Sequence, residues 1–339
     1  MFASIKVDKE YSKNQIFDIG LNDKKFDGRG YKYIKLREQF LKKGIQLNTH
    51  DIYTDYSKVS FTIFLDAAQF DKRYISKKNY LIVIEPDSIH KKNNSDFSRK
   101  FYDKIFTWQD NLLDNKKYFK YNFSYNLNIN EQLFFKNKIK KAVMVASKKN
   151  SSHKNELYSK REEIINWYNE NKFKHFDLYG RGWDRFKFKI YPLKYLNRFE
   201  KLSKIMSKTI FYNNYENVYK GKIDNKLDLI SNYQFCYCLE NIKNIKGYIT
   251  EKIFDSFFSG TIPIYKGADN VLQYIPQDTF INLDSFKSLS ELDNYLMNNC
   301  DVEFFRKNIL EFLKSNAVQK FDSLYNAKKI SNEIMKDVF

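Results

Sequence analysis

The sequence predicts an α/β protein built from two Rossmann-like domains that face one another. Three observations lead there. Apolar, β-branched runs alternate with stretches of helical spacing, the pattern of βα units around a parallel sheet. The alternation runs once, pauses at 126–141 and starts again. The chain has 339 residues, 42 % of them hydrophobic, which is long for one compact domain and comfortable for two.

In chain order, 3–8 (ASIKVD) reads as a short strand, 33–43 as a helix and 45–49 as a strand. VSFTIFLDA (59–67) is a continuous apolar run, as a strand buried on both faces requires. NYLIVIEP (79–86) is a second such run, stopped by its proline, and KIFTW (104–108) is a third. The polar stretch 90–100 between them reads as a loop, and 126–141 as a connection between domains. AVMVAS (142–147) restarts the strands. Residues 154–170 follow as a helix with Leu157, Ile164, Ile165 and Tyr168 on one side. FDLYG (176–180) is a strand and 181–225 is irregular. QFCYCLEN (234–241), TIPIYKG (261–267) and TFINLD (279–284) are strands, and 250–260 is a helix. The stretch 288–297 opens with a helix-start signature, and 301–336 is helical with Phe305, Ile309 and Phe312 as its apolar stripe. The expected division is a first domain over 1–140, a second over 141–300 and a helical segment over 301–339.

Composition narrows the function classes. The formal net charge of +18 favours anionic partners: nucleic acids, anionic lipid head groups or phosphorylated ligands. The lysines are scattered, and no block reads as a basic arm. Three cysteines are too few and too uneven for a disulfide framework and suit a reducing compartment. Cys236 and Cys238, two apart in a strand, share one face and read as core. The N-terminal stretch shows no signal-peptide pattern, and no segment approaches the ~18 consecutive apolar residues of a membrane span. A cytoplasmic location is expected, with peripheral association to the inner face of the membrane through basic residues.

The chemistry concentrates in 234–267. A buried strand ends in two polar residues, Glu240 and Asn241. Gly247 follows in a loop, Thr250 has the identity of a helix N-cap, and Gly260 supplies the stop. Ile253, Phe254, Phe257 and Phe258 form the buried face. The free N–H groups at such a helix start attract phosphate. Lys252, in the first turn, opposes the helix dipole, which is the place for a cation that meets a bound anion or one that is simply solvated.

The run ENIKNIKGYITEKIFDSFFSGTIPIYKGADNV resembles the signature of the family 10 glycosyltransferases, the α-1,3/1,4-fucosyltransferases, in their bacterial type. The similarity continues through FINLDSF (280–286). It reaches upstream through VAS (145–147), Tyr158 to Arg161 and DLYGRGWD (177–184), and in outline through IEP (84–86) and IFTW (105–108). The resemblance implies a GT-B fold, a GDP-fucose donor and inversion at the anomeric carbon. It implies that Lys252 and Arg161 hold the donor diphosphate and that Glu251 contacts the sugar and its developing charge. It implies that Asn241 and Tyr248 line the donor pocket and that Glu85 is the catalytic base. Each position also has a plainer reading: Arg161 as a helix-surface arginine, Glu85 as a strand terminator before a proline, Trp108 and Trp183 as packing.

No Asp-x-Asp pair occurs, and the four histidines are dispersed. No cofactor is therefore expected: the GDP-sugar is a substrate, and a divalent metal is not essential. The expected partners are a nucleotide-sugar donor and a glycan acceptor such as a lipid-linked lipopolysaccharide or O-antigen chain, not nucleic acid. Two alternatives stand beside this reading. One is the same fold with a different nucleotide sugar. The other is a basic nucleic-acid-binding protein, which accounts for the charge and aromatics but not for the ordered 240–267 motif.

Overall fold

The computed structural model describes residues 1–21, 30–93, 95–184, 195, 198–199 and 215–338. They form two compact units. The first comprises Met1–Asn128, Ile245–Ile249 and Lys314–Phe339, the second Ile129–Asn244 and Thr250–Leu313.

The first unit contains β1 (Phe2–Lys6), α1 (Tyr31–Leu41), β2 (Gln46–Thr49), β3 (Val59–Leu65), β4 (Lys78–Ile82), α2 (Asp96–Phe101), β5 (Lys104–Thr107) and β6 (Tyr118–Lys120). The strands form one sheet in the order β2-β1-β3-β4-β5-β6, and every pair is parallel. Both faces of β3 are covered, because Phe61, Thr62, Ile63 and Phe64 are all fully buried. That is why the segment reads as a continuous apolar run rather than an alternating one. The order reverses between β1 and β3, the topological switch of a doubly wound sheet.

The second unit contains α3 (Gln132–Phe135), β7 (Ile139–Val145), α4 (Tyr158–Asn171), β8 (Phe176–Tyr179), β9 (Tyr219–Gly221), α5 (Lys226–Ile230), β10 (Tyr233–Leu239), α6 (Glu251–Phe258), β11 (Ile262–Lys266), β12 (Ile281–Asn282), α7 (Leu289–Asn294) and α8 (Val302–Lys314). Its sheet, β12-β11-β10-β7-β8-β9, is again all parallel. Counted from its own first strand this is the dinucleotide-binding order, with the switch between β7 and β10. Ligands of such sheets bind beyond the carboxyl ends of the two strands flanking the switch.

The last helix, α9 (Ser323–Val338), belongs to the first unit. Ala327, Ile330 and Ile334 enter its core beside Ile82, Phe106, Phe119 and Tyr121. Lys104 on β5 fixes it electrostatically, with its ammonium 2.9 Å from both Glu333 and Asp337. Residues 301–336 are therefore two helices parted by a 3-10 turn at Asn316–Phe321, and they divide between the units.

Other expectations need correction. The polar stretch 90–100 holds most of α2, whose single turn and a half sets the rings of half-buried Phe97 and exposed Phe101 against Phe70 rather than showing a long periodic face. The connection 126–141 contains α3 and the start of β7. Within 181–225, β9 is a three-residue edge strand, while 185–194 and 200–214 lie outside the described residues. β6 is equally short and gave no run to recognise. The three cysteines are free, with Cys236 and Cys238 buried as expected. Among the described residues, no helix is long and apolar enough to cross a membrane.

Candidate functional site

The switch point of the second sheet is built by three successive pieces of chain. β10 runs buried at every residue but Gln234 to Leu239, and Glu240 and Asn241 follow it. α4, which follows β7, turns Arg161 towards that end. The Arg161 Nη2 donates to the carbonyl oxygens of Leu239 at 2.6 Å and Glu240 at 2.8 Å, and to Asn241 Oδ1 at 3.3 Å. The guanidinium also lies over the Tyr158 ring at 4.9 Å. Arg161 is 7 % exposed, so the helix-surface reading is excluded. The Asn241 carbonyl in turn accepts from the Leu157 N–H just before α4 (3.0 Å), which ties the two elements together at the site.

The third piece is α6. Ile253, Phe254 and Phe257 are fully buried, each contributing roughly 2–3 kcal/mol of apolar burial. Gly260 takes a left-handed φ of +61°, and the Thr261 N–H returns to the Ser256 carbonyl at 2.9 Å. This is the expected glycine stop. At the other end the structure departs from expectation. Thr250 occupies the N-cap position, but its hydroxyl does not cap. It donates instead to Glu240 Oε2 at 2.6 Å, while the Thr250 N–H donates to Glu240 Oε1 at 2.8 Å. A buried carboxylate outcompetes the helix amides for a hydroxyl proton because charge-assisted hydrogen bonds are about twice as strong.

Glu240 is 0 % exposed, and its third bond comes from Lys252 Nζ at 3.1 Å. Lys252 Nζ also reaches Thr250 Oγ1 at 2.8 Å and Glu251 Oε1 at 3.4 Å. Burial disfavours the Lys252 charge, but the carboxylates of Glu240 and Glu251 overcome it and hold its pKa above the ordinary lysine value. The cation therefore stays charged at neutral pH, with its side chain 20 % exposed. Glu251 is the most open of the group, its side chain 42 % exposed. The arrangement places two fixed cations and the start of α6 beyond β10, where an anionic group of a ligand is stabilised electrostatically.

The sequence motif thus brings Arg161, Asn241, Glu251 and Lys252 into one site. Glu240 is the member it did not assign. Its signal was present: a glutamate ending an otherwise apolar buried strand must find cationic and N–H partners, and the lysine twelve residues on supplies one. Among the described residues, no three His, Cys, Asp or Glu side chains gather as a metal site.

Glu85 and Tyr248 lie in the first unit. Glu85 follows β4, half-buried, with its N–H on Asp66 Oδ1 at 3.1 Å and its carbonyl accepting from Asn93 Nδ2 at 2.7 Å. Tyr248 is 2 % exposed, its ring 4.6 Å from Trp108 and 6.2 Å from Phe123. Trp108 packs as expected, at 1 % exposure. Trp183 is likewise buried, and its indole N–H donates to the Ala146 carbonyl at 2.6 Å, beyond the end of β7.

Comparison with known proteins follows the same division. The family model described as glycosyltransferase family 10 (fucosyltransferase) C-term matches residues 135–306, just over half of the chain and almost all within the second unit. An Alpha-(1,3)-fucosyltransferase FucT of Helicobacter pylori is 40% identical over 74 residues, 22% of this chain and 15% of that protein. The 4-galactosyl-N-acetylglucosaminide 3-alpha-L-fucosyltransferase 9 of Mus musculus is 36% identical over 95 residues, 27% of this chain and 26% of that one. The matched stretches thus span about a quarter or less of these relatives. Two solved structures extend the likeness over 99% of the chain. An alpha1,3-fucosyltransferase with GDP-fucose superposes with TM-score 0.53 at 16% identity, covering 89% of that chain. Anabaena Alr3699/HepE in complex with UDP and glucose superposes with TM-score 0.55 at 8% identity, covering 99%. At these identities the likeness is one of fold, the GT-B class of two Rossmann-like units.

Proposed function

The chain belongs to glycosyltransferase family 10, the fucosyltransferase family, and from that membership we propose that it is an inverting enzyme moving L-fucose from GDP-fucose to a hydroxyl of a glycan acceptor. The observation that carries the reading is the pair of fixed cations at the switch point, Arg161 held on the end of β10 and Lys252 held by Glu240. Departure of the sugar leaves a diphosphate with growing negative charge and an oxocarbenium-like carbon. Arg161 and Lys252 stabilise the first, and Glu251 balances the second. Asn241 and Tyr248 contribute to the donor pocket. Glu85 takes the proton of the acceptor hydroxyl as that oxygen attacks from the face opposite the leaving group.

This chemistry calls for no cofactor. Divalent metal is dispensable in this reading because side-chain cations carry the diphosphate charge. The acceptor is a surface glycan such as a lipopolysaccharide or O-antigen chain, met at the cytoplasmic face of the membrane. The net charge of +18 supports an anionic, lipid-linked form of it.

The test is turnover across a panel of nucleotide sugars, with a 4-galactosyl-N-acetylglucosaminide as acceptor and with Lys252→Ala and Glu85→Gln as controls. Turnover of GDP-fucose, lost in both variants and kept in excess chelator, is the expected result. Turnover of another nucleotide sugar instead keeps the mechanism and replaces the donor. Absence of saturable GDP binding at physiological salt sinks the proposal.

A further inference from the structure

We propose that Asp66, Asn93 and Trp108 are positioning residues that hold Glu85 for proton abstraction. The inference rests on the reading of Glu85 as the base.

After β4 ends at Ile82, the chain could satisfy its backbone with water. It does not. All four peptide groups of Ile84 and Glu85 are taken by side chains from elsewhere in the first unit. The Ile84 N–H donates to Asp66 Oδ1 at 2.7 Å, and the Glu85 N–H donates to the same oxygen at 3.1 Å. The Ile84 carbonyl accepts from the Trp108 indole N–H at 3.1 Å. The Glu85 carbonyl accepts from Asn93 Nδ2 at 2.7 Å. Asn93, fully buried, closes the network by also donating to Asp66 Oδ1 at 2.8 Å and accepting from the Ala67 N–H at 2.7 Å. Pro86 restricts Glu85 from the other side, since a residue before proline is confined to extended backbone.

The network is costly to build. Asp66 is 7 % exposed and adopts φ +62°, ψ 146°, a conformation close to glycine-only that costs about 1–3 kcal/mol. Termination of a strand needs neither a buried carboxylate nor this strain. Both are accounted for by what they fix, the backbone of one half-buried glutamate. Trp108 adds a second contact, its ring 4.6 Å from Tyr248. The block that holds Glu85 is therefore also the block on which Tyr248 of the Ile245–Ile249 segment rests, two residues ahead of Thr250.

The experiment compares Asp66→Asn, Trp108→Phe and Glu85→Gln in the full chain. Transfer from GDP-fucose to a 4-galactosyl-N-acetylglucosaminide gives kcat and KM, calorimetry gives the GDP Kd, and thermal melting reports folding. Trp108→Phe keeps a ring against Tyr248 and removes the indole N–H together with the pyrrole part of the buried ring, so its kcat is read beside its melting temperature, and it decides the matter if Asp66→Asn does not fold. The expected result is a kcat lowered about tenfold or more, since ångström-scale misplacement of a reacting group costs up to ~100-fold. The GDP Kd should stay within about twofold, because Arg161 and Lys252, read as the diphosphate-binding residues, belong to the other unit. A wild-type kcat in the folded variants overturns the positioning role, as does a fall in kcat matched by the same loss of GDP binding. Full activity of Glu85→Gln overturns the base reading itself, which separates the two failures.

Discussion

Replacing Glu240 by Gln removes one charge and almost no volume, which makes it a clean probe of the site proposed to hold the donor. The carboxylate, 0 % exposed, accepts from the Thr250 N–H, the Thr250 hydroxyl and Lys252 Nζ at 2.8, 2.6 and 3.1 Å. A glutamine can keep one oxygen on the Thr250 N–H. Its NH2 group then meets the hydroxyl and the ammonium, so the Lys252 bond is lost and the hydroxyl must turn. One buried charge-assisted bond is worth about 1.5–3 kcal/mol. A negative charge at a helix start adds about 1–2 kcal/mol where partly buried. The expected destabilisation is about 3–5 kcal/mol. At roughly 2–4 °C per kcal/mol for a unit of this size, the melting temperature should fall by about 10 °C. The deletion also leaves Lys252 and Arg161 less compensated, so added GDP should recover more stability in the variant than in the wild type. Scanning calorimetry with and without GDP reads both quantities. An unchanged melting temperature would refute the reasoning, because it would mean that the three bonds do not hold the helix start. Equal stabilisation of both proteins by GDP would separate Glu240 from the donor site.

Three further outcomes follow from the geometry. Gly247→Ala should cost several-fold more stability than Gly44→Ala in urea unfolding. Both glycines have left-handed φ, +82° and +72°, but a Cβ at 247 would lie 2.2 Å from the Trp108 carbonyl while one at 44 meets nothing within 4 Å. Ending the chain at Asp322 should unfold the first unit, seen as lost near-UV dichroism and proteolysis of 1–128, because Ala327, Ile330 and Ile334 leave its core. His50 is held neutral by burial and by Lys6, which lower its pKa below 6.5, and Lys6 Nζ lies 3.1 Å from its Nε2. Below pH 6.5 the unfolded chain therefore binds a proton that the folded one resists, so stability falls as pH drops from 7 to 5. His50→Gln should lose less over that interval in pH-dependent melting.

The long buried strands were legible because a parallel sheet covered on both faces leaves continuous apolar runs, as in β3 and β10. α6 was legible from its periodic phenylalanines and its glycine stop. What escaped was short or non-local. β6 and β9 span three residues each, too few for any periodicity. The membership of α9 in the first unit depends on Lys104 meeting Glu333 and Asp337 across more than two hundred residues, which no local pattern encodes. The residues gathered at the end of β10, Arg161, Asn241, Glu251 and Lys252, could be named from the motif. The hydroxyl of Thr250 could not be placed, because its choice between helix amides and Glu240 is decided in three dimensions. Asp66 and Asn93 gave no signal: an aspartate just after a strand and an asparagine just before a short helix look like ordinary turn residues until their bonds are seen.

The division of the first unit between the two ends of the chain has a consequence for biosynthesis. During translation β1–β6 leave the ribosome before the second unit, yet the core around Ile82, Phe106 and Phe119 is closed by a helix made only after the whole second unit. At ordinary elongation rates that interval lasts roughly 10–40 s. Throughout it the apolar cluster of the nascent first unit has α1 on it but lacks α9, whereas the second unit has every residue that its own core needs as soon as Leu313 has emerged. The order of completion is therefore inverted relative to the order of synthesis, and holdase chaperones should engage this polypeptide through residues 1–128.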